Sequence, residues 1–158
     1  MSHPFNAVLF SSYIRKFNQH GKSAERVVLI TDNFVCKLDS QKFKLMKTIL
    51  PLERLDAMSI TPGRDALVIL HSGNGNDLVC YLDGGGGNDN RVAELVGVIA
   101  THLNRAFGKE LRVVVDHNLH CELGSKRYAI SVRENSDHPT PLFKRSGPVI
   151  QLLWPAGA

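Results

Sequence analysis

Apolar residues in the first half of the chain fall in short runs, cut at regular intervals by turn-forming residues. Residues 7–17 mix aromatic and aliphatic positions without a helix cap and read as a strand. Residues 25–31 and 34–38 follow, joined by a tight turn at Asp32-Asn33. A polar connection then leads to 44–50, which Pro51 stops, and to 55–61, which Pro62-Gly63 stops. The run 66–71 contains Ala66-Leu67-Val68-Ile69-Leu70, and the turn Ser72 to Asn76 separates it from 77–82. Seven strands at this spacing predict an antiparallel meander that folds into a barrel or sandwich.

The period then changes. After the glycine run 84–87, Asn88-Asp89-Asn90 offers a helix cap. Val92, Leu95, Val96, Ile99 and Leu103 follow on one helical face, and Gly108 supplies a C-terminal stop. A single amphipathic helix after seven strands is expected to plug an open end of the curved sheet, with its apolar face in the core. Residues 111–116, 127–133 and 149–154 read as further strands, and 135–148, with Pro139, Pro141 and Pro148, as a polar loop. No helix separates these last strands from the rest. The expectation is one domain over 1–158, with a core at 7–108 and a β extension at 109–158 packed on the first sheet.

Charge adds an asymmetry. Net charge is +4, but residues 1–50 carry eight Lys or Arg against three acids, and the remaining 108 residues are slightly acidic. The excess lies around the first hairpin, where Lys16, His20, Lys22 and Arg26 surround the mouth of a polar loop. Cations at both ends of one loop can grip a polyanion while the apolar strands hold the loop in the core. Spacing alone reads equally well as a loop of ordinary solvated charges. The asymmetry favours an anionic partner: a membrane surface, a phosphorylated ligand or nucleic acid.

Other chemistry is excluded in turn. Gly21-Lys22-Ser23 ends like a phosphate loop, but Lys16 stands where the first glycine is required and no helix follows. Glycines 84–87 lack dinucleotide-binding spacing and read as a flexible linker. His117, His120 and Cys121 are close in sequence, yet no second cluster completes a zinc site, so no metal or other cofactor is expected. Spacing places no Ser-His-acid, Cys-His or paired-carboxylate arrangement, so no catalytic residue is assigned. The basic segment has neither an aromatic RNA-binding motif nor a basic recognition helix, which argues against nucleic acid. Cys36, Cys80 and Cys121 lack paired spacing and read as free thiols in a reducing compartment. The start MSHPFNAVLF has no secretory pattern, Ser2 stands where myristoylation needs glycine, and no apolar run approaches the ~20 residues of a bilayer span. Membrane contact is therefore expected to be peripheral.

Four blocks carry a family resemblance: SAERVVLITDNFVCKLD, SITPGRDALVILH, GNDLV and RVAELVGVIATHL, in that order, with an LLWP segment at 152–155. Together they resemble the tail homology 1 domain of short-tailed class I myosins over nearly the whole chain. The resemblance implies a mostly β (α+β), pleckstrin-homology-like barrel of seven antiparallel strands capped by one helix, with extra C-terminal strands. It also implies a non-enzymatic tail that attaches a single-headed actin motor to phosphoinositides and other anionic lipids at the inner face of the plasma membrane and the actin cortex. The motor, its ATP site and the neck for calmodulin-type light chains would lie upstream.

The lipid pattern of that family is a basic residue ending the first strand, a variable loop, and K/R-x-R entering the second. Lys16 matches the first position and Arg26 the last, while Ala24 departs in the middle. Lys22 can stand in from two residues earlier, and Lys37, Lys42 and Lys44 add diffuse charge. A second reading is a protein-interaction tail, with the same fold docking a cortical or adhesion partner and the basic loop incidental.

Overall fold

The computed structural model of the chain describes residues 7–83, 91–135 and 137–155. Ser2, the glycine run at 84–87 and the expected cap at 88–90 lie outside the described residues. The elements are β1 (Val8–Phe17), β2 (Ser23–Thr31), β3 (Phe34–Asp39), β4 (Leu45–Pro51), a 3-10 turn (Leu52–Arg54), β5 (Ala57–Ile60), β6 (Leu67–His71), β7 (Leu78–Leu82) and α1 (Val92–Phe107). After them come β8 (Arg112–Val115), β9 (Asn118–Leu123), β10 (Lys126–Asn135), β11 (Leu142–Ser146) and β12 (Val149–Pro155).

The first seven strands form one antiparallel sheet in the order β4-β3-β2-β1-β7-β6-β5. β8 extends it by pairing in parallel with β5. This order, followed by a single helix, is the pleckstrin-homology-like arrangement, and the fold is mostly β. β4 and β5 are not hydrogen-bonded to each other. The 3-10 turn joins them and carries Leu52 and Leu55 fully into the core.

Alternation decides the faces. Along β1, Phe10, Ser12 and Ile14 are buried toward the interior, while Ser11 and Tyr13 face outward and are exposed. β6 and β7 are buried on both faces, which is why their sequences run apolar without alternation. The inner face packs on the core. Over β6, β7 and the end of β1 the outer face is covered by a second, four-stranded sheet in the order β11-β12-β10-β9. Phe143 of β11 lies 5.1 Å from the Phe17 ring and 5.8 Å from Tyr81, and Trp154 meets Tyr81 edge-on at 5.6 Å.

Two elements of the second sheet depart from expectation. The loop expected at 135–148 contains β11, whose strand character comes from pairing with β12 and not from its own residues. β9, not foreseen, alternates cleanly, with Leu119, Cys121 and Leu123 buried.

α1 closes one end of the curved sheet. Val92, Leu95, Ile99 and Leu103 are its buried residues. Gly108 adopts φ 61°, and the N–H groups of Gly108 and Lys109 return to Asn104 and Leu103 at 3.0 and 3.1 Å. His102 Nε2 bonds the Asp32 carbonyl at 2.8 Å. Lys109 forms an ion pair with Asp56 at 2.6 Å and donates to the Glu53 carbonyl. The helix is thereby tied to the β2–β3 turn and to the β4–β5 connection.

Candidate anion-binding site

The end of the sheet away from α1 is formed by the β1–β2 loop and the β3–β4 turn. Asn18 builds the loop. Its side-chain Oδ1 accepts from the backbone N–H groups of His20 and Lys22 at 2.9 and 3.1 Å, and its carbonyl accepts from Gly21 at 3.1 Å. Gly21 takes φ 74°, which an L side chain would strain. Asp39 builds the other turn, accepting from Lys42 N–H on Oδ2 at 3.0 Å and from Phe43 N–H on its carbonyl at 2.9 Å.

Register places four cations on the inward-facing side of the strands at this open end, with Lys47 exposed at its edge. Lys16 continues the buried series of Phe10, Ser12 and Ile14 and pairs with Ala24. Arg26 pairs with Ile14 on one side and Asp39 on the other. Lys37 opposes buried Val28, and Lys47 opposes Lys37. Directly opposed residues share a face, so all four look into the mouth. Burial pushes the Lys16 ammonium down to about 8, with further lowering from Lys37, Lys47 and Arg26. Among the described residues, none of these four cations is in an ion pair; the pairs within 4.0 Å are His71–Asp77, Arg91–Glu94 and Lys109–Asp56.

The expected site residues therefore separate into two groups. Lys16, Arg26 and Lys37 converge on the interior face. Lys22 lies in the exposed loop, and Lys42 and Lys44 lie exposed at the β3–β4 turn, so these three ring the mouth. Ala24, opposite Lys16, puts a small side chain where the family pattern has a third cation.

Two further cations went unforeseen. Lys47, itself exposed, shares the face of Lys37 only because β4 carries register shifts against β3, which sequence alternation does not reveal. Arg145 comes from the second sheet: its Nη1 donates to the Gln19 carbonyl at 3.1 Å, and its guanidinium lies 5.7 Å from the Tyr128 ring centroid. A basic residue within a predicted strand, 44–50, is the one signal that could have marked Lys47. Arg145 had none, because its contact spans the chain.

The structure does assemble a Ser-His-Asp series that spacing did not place. Ser59 Oγ lies 2.6 Å from His71 Nε2, and His71 Nδ1 lies 3.0 Å from Asp77 Oδ2. It is not built as a nucleophile. Ser59 is 3% exposed, so its hydroxyl offers no approach to a substrate carbonyl. Asp77 is shared with the backbone N–H groups of Glu122 at 2.9 Å and Ser72 at 3.0 Å. Burial works to raise the Asp77 carboxyl, but these hydrogen bonds, that of His71 foremost, outweigh it and hold the group below its usual range. The series joins β5, β6 and β7 to the second sheet.

His120 and Cys121 are neighbours on β9 and point to opposite faces, one exposed and one buried. Among the described residues no group of three or more His, Cys, Asp or Glu side chains could hold a metal ion. All three cysteines are free and buried, and burial pushes the Cys80 and Cys121 thiols up to about 12. No helix of the described residues is long and apolar enough to cross a membrane.

The sheet is thus closed by a helix at one end and carries a group of cations at the other. The chain belongs to the family described as "Unconventional myosin tail, actin- and lipid-binding", whose model matches residues 1–150. It is a class I myosin lipid-binding tail and not the motor. Among its relatives, mouse unconventional myosin-Ig is 38% identical over 154 residues, 96% of this chain, and Drosophila melanogaster unconventional myosin ID is 37% identical over 144 residues, 89% of it. Human unconventional myosin-Id is 36% identical over 149 residues, 92% of this chain. The chain spans 14 to 15% of the length of these relatives. Among solved structures, the hSac2 domain of human phosphoinositide phosphatase Sac2 superposes with a TM-score of 0.48 at 13% identity, covering 69% of this chain and 76% of that one. The Slm1-PH domain in complex with D-myo-inositol-4-phosphate gives 0.43 at 13% identity, covering 59% and 96%.

Proposed function

We propose that this tail binds anionic phospholipids or phosphoinositides through the open end of the sheet. Lys16, Arg26, Lys37 and Lys47 would meet a headgroup phosphate, and Lys22, Lys42 and Lys44 would be held over the surrounding surface charge. One observation carries the reading: four cations share one face and none of them lies within 4.0 Å of a carboxylate among the described residues, although Asp39 opposes Arg26 in register, and the cost is visible in the lowered Lys16. An anion seated among them removes that cost. Arg26 supplies a two-pronged donor and the lysines point charges. Each cation near an anionic surface is worth about 1 kcal/mol.

Under the same reading, residues 7–108 form the lipid-binding core, and 109–158 a β extension that buttresses the outer face of the first sheet. In the longer protein the tail would hold an actin-based motor, with its calmodulin-type light chains, peripherally at the inner face of the plasma membrane and the actin cortex. Cortical or adhesion proteins would be secondary partners.

The test is co-sedimentation with vesicles of phosphatidylcholine and phosphatidylserine, with and without phosphoinositide. The double variant K16A/R26A is expected to bind at least about tenfold more weakly, a loss of about 1.4 kcal/mol, with its circular dichroism unchanged. Wild-type binding should fall as added salt shortens the Debye length from ~10 to ~3 Å. Gln19→Ala, at the tip of the same loop, should do little. A folded double variant that binds like wild type would move the site away from this mouth. Salt-insensitive capture by a protein partner, indifferent to these substitutions, would favour the protein-docking reading.

A further inference from the structure

The outer face of the first sheet is treated unequally. Over β6, β7 and the Phe17 end of β1 it is covered by β9 to β12, but around Tyr13 and the β3–β4 turn large apolar side chains stay exposed. There Tyr13 is 42% exposed, Phe43 55%, Leu45 56% and Met46 49%. These residues are neighbours. The Tyr13 and Phe43 ring centroids are 6.2 Å apart, and Tyr13, Val27, Leu38 and Leu45 form one row across four strands. Met46 is the extra residue of a β4 bulge, between Leu45, which pairs with Leu38, and Lys47, which pairs with Lys37. The bulge breaks the alternation, and two successive apolar side chains are left in solvent.

The backbone adds a second observation. Phe43 has φ 55°, one of two non-glycine residues with positive φ among those described. That conformation is unfavourable for a bulky side chain, and here core burial does not offset it. The turn's hydrogen bonds hold an aromatic ring outward at the tip of a hairpin.

Charge identifies the occupant. The segment reads Lys42-Phe43-Lys44-Leu45-Met46-Lys47, so every apolar residue is flanked by a cation, and Lys47 belongs to the cationic mouth. A protein groove would have to satisfy those lysines with matched acids. An anionic bilayer offers phosphates at the depth of the ammonium groups and hydrocarbon just beneath. We infer that the β3–β4 turn is a membrane wedge: Phe43, Leu45 and Met46 enter the headgroup–acyl boundary while the mouth holds phosphate beside them. The inference rests on the proposed lipid-binding reading and adds to it a second, apolar attachment.

The test uses the full chain and vesicles of phosphatidylcholine and phosphatidylserine. In F43W the new indole should be quenched by lipids brominated on the acyl chain. The wild type, whose one tryptophan is Trp154, sets the baseline. The variant F43S/L45S/M46S, altered only at exposed side chains, should keep its melting temperature and partition about tenfold or more less well. The wedge is overturned if the triple serine variant co-sediments like wild type, or if the indole of F43W escapes quenching in protein shown to be vesicle-bound. It is equally overturned if the serine variant loses only self-association in sedimentation velocity, which would make the patch a contact between copies. K16A/R26A in the same assay separates the two claims. If that variant loses binding while the serine variant does not, the wedge fails and the headgroup site stands. If both bind like wild type, the headgroup reading fails as well.

Discussion

The two ends of one curved sheet are finished in opposite ways. At one end α1 inserts Val92, Leu95, Ile99 and Leu103, and hydrogen bonds from His102 and Lys109 fasten it down. At the other end the same strands present Lys16, Arg26, Lys37 and Lys47 at the mouth. A residue at the closed end stabilises the fold by being removed from water. Lys16, at the open end, strains the fold by being partly removed from water while charged. The contrast teaches that burial alone does not separate scaffold from site; the sign of its contribution does.

The comparison is sharpened most at the closed end. Leu95→Asp would put a carboxylate where the side chain is 1% exposed, and is expected to cost several kcal/mol. Thermal unfolding followed by circular dichroism checks this, and an unchanged melting temperature would show the helix face to be free. The opposite sign is expected at the open end. Lys16→Met keeps the length of the side chain and removes the charge, so it should stabilise the domain at pH 7 by on the order of 1 kcal/mol after allowance for solvent screening.

That smaller gain carries a pH signature. The folded pKa of Lys16 is lowered to about 8 from 10.5, so the unfolded chain binds more protons between those values. The penalty is complete below about 8 and disappears above 10.5, so wild-type stability rises through that window and the advantage of Lys16→Met fades. Anion binding should run the other way, weakening above pH 8 as Lys16 loses its proton. Parallel denaturant and vesicle titrations across pH 7 to 10 would check both arms, and a flat stability difference would contradict the strained state of Lys16.

The strands of the first sheet were legible because each is bounded by its own punctuation, such as Pro51, Pro62-Gly63 and the turn Ser72 to Asn76. The helix was legible in the spacing of Leu95, Ile99 and Leu103. β11 was not, since Leu142 and Phe143 sit in a proline-rich polar stretch and become a strand only by pairing with β12. β9 was legible in principle from the alternation of Leu119, Cys121 and Leu123, but the interleaved polar residues Asn118, His120 and Glu122 leave no apolar run to mark it. At the mouth, Lys16 and Arg26 followed from the strand ends. Lys47 depended on β4 register shifts, and Arg145 on packing between two sheets, neither of which is a local property of the sequence.

The position of β1 has a mechanical consequence. It lies between β2 and β7, begins at Val8 beside the closed end, where Asp32 N–H meets the Ala7 carbonyl at 3.1 Å, and ends at the mouth. A tug delivered at Val8 while lipid grips Lys37 would slide β1 lengthwise past its neighbours. Antiparallel ladder bonds lie across the strands, so such a tug loads them all at once instead of peeling them singly. Optical-tweezer handles on Val8 and Lys37 should therefore need a higher rupture force than handles on Val8 and Thr31, which face each other at the end of the same ladder. Equal forces would mean that the domain is no sturdier as a tether along this axis than across it.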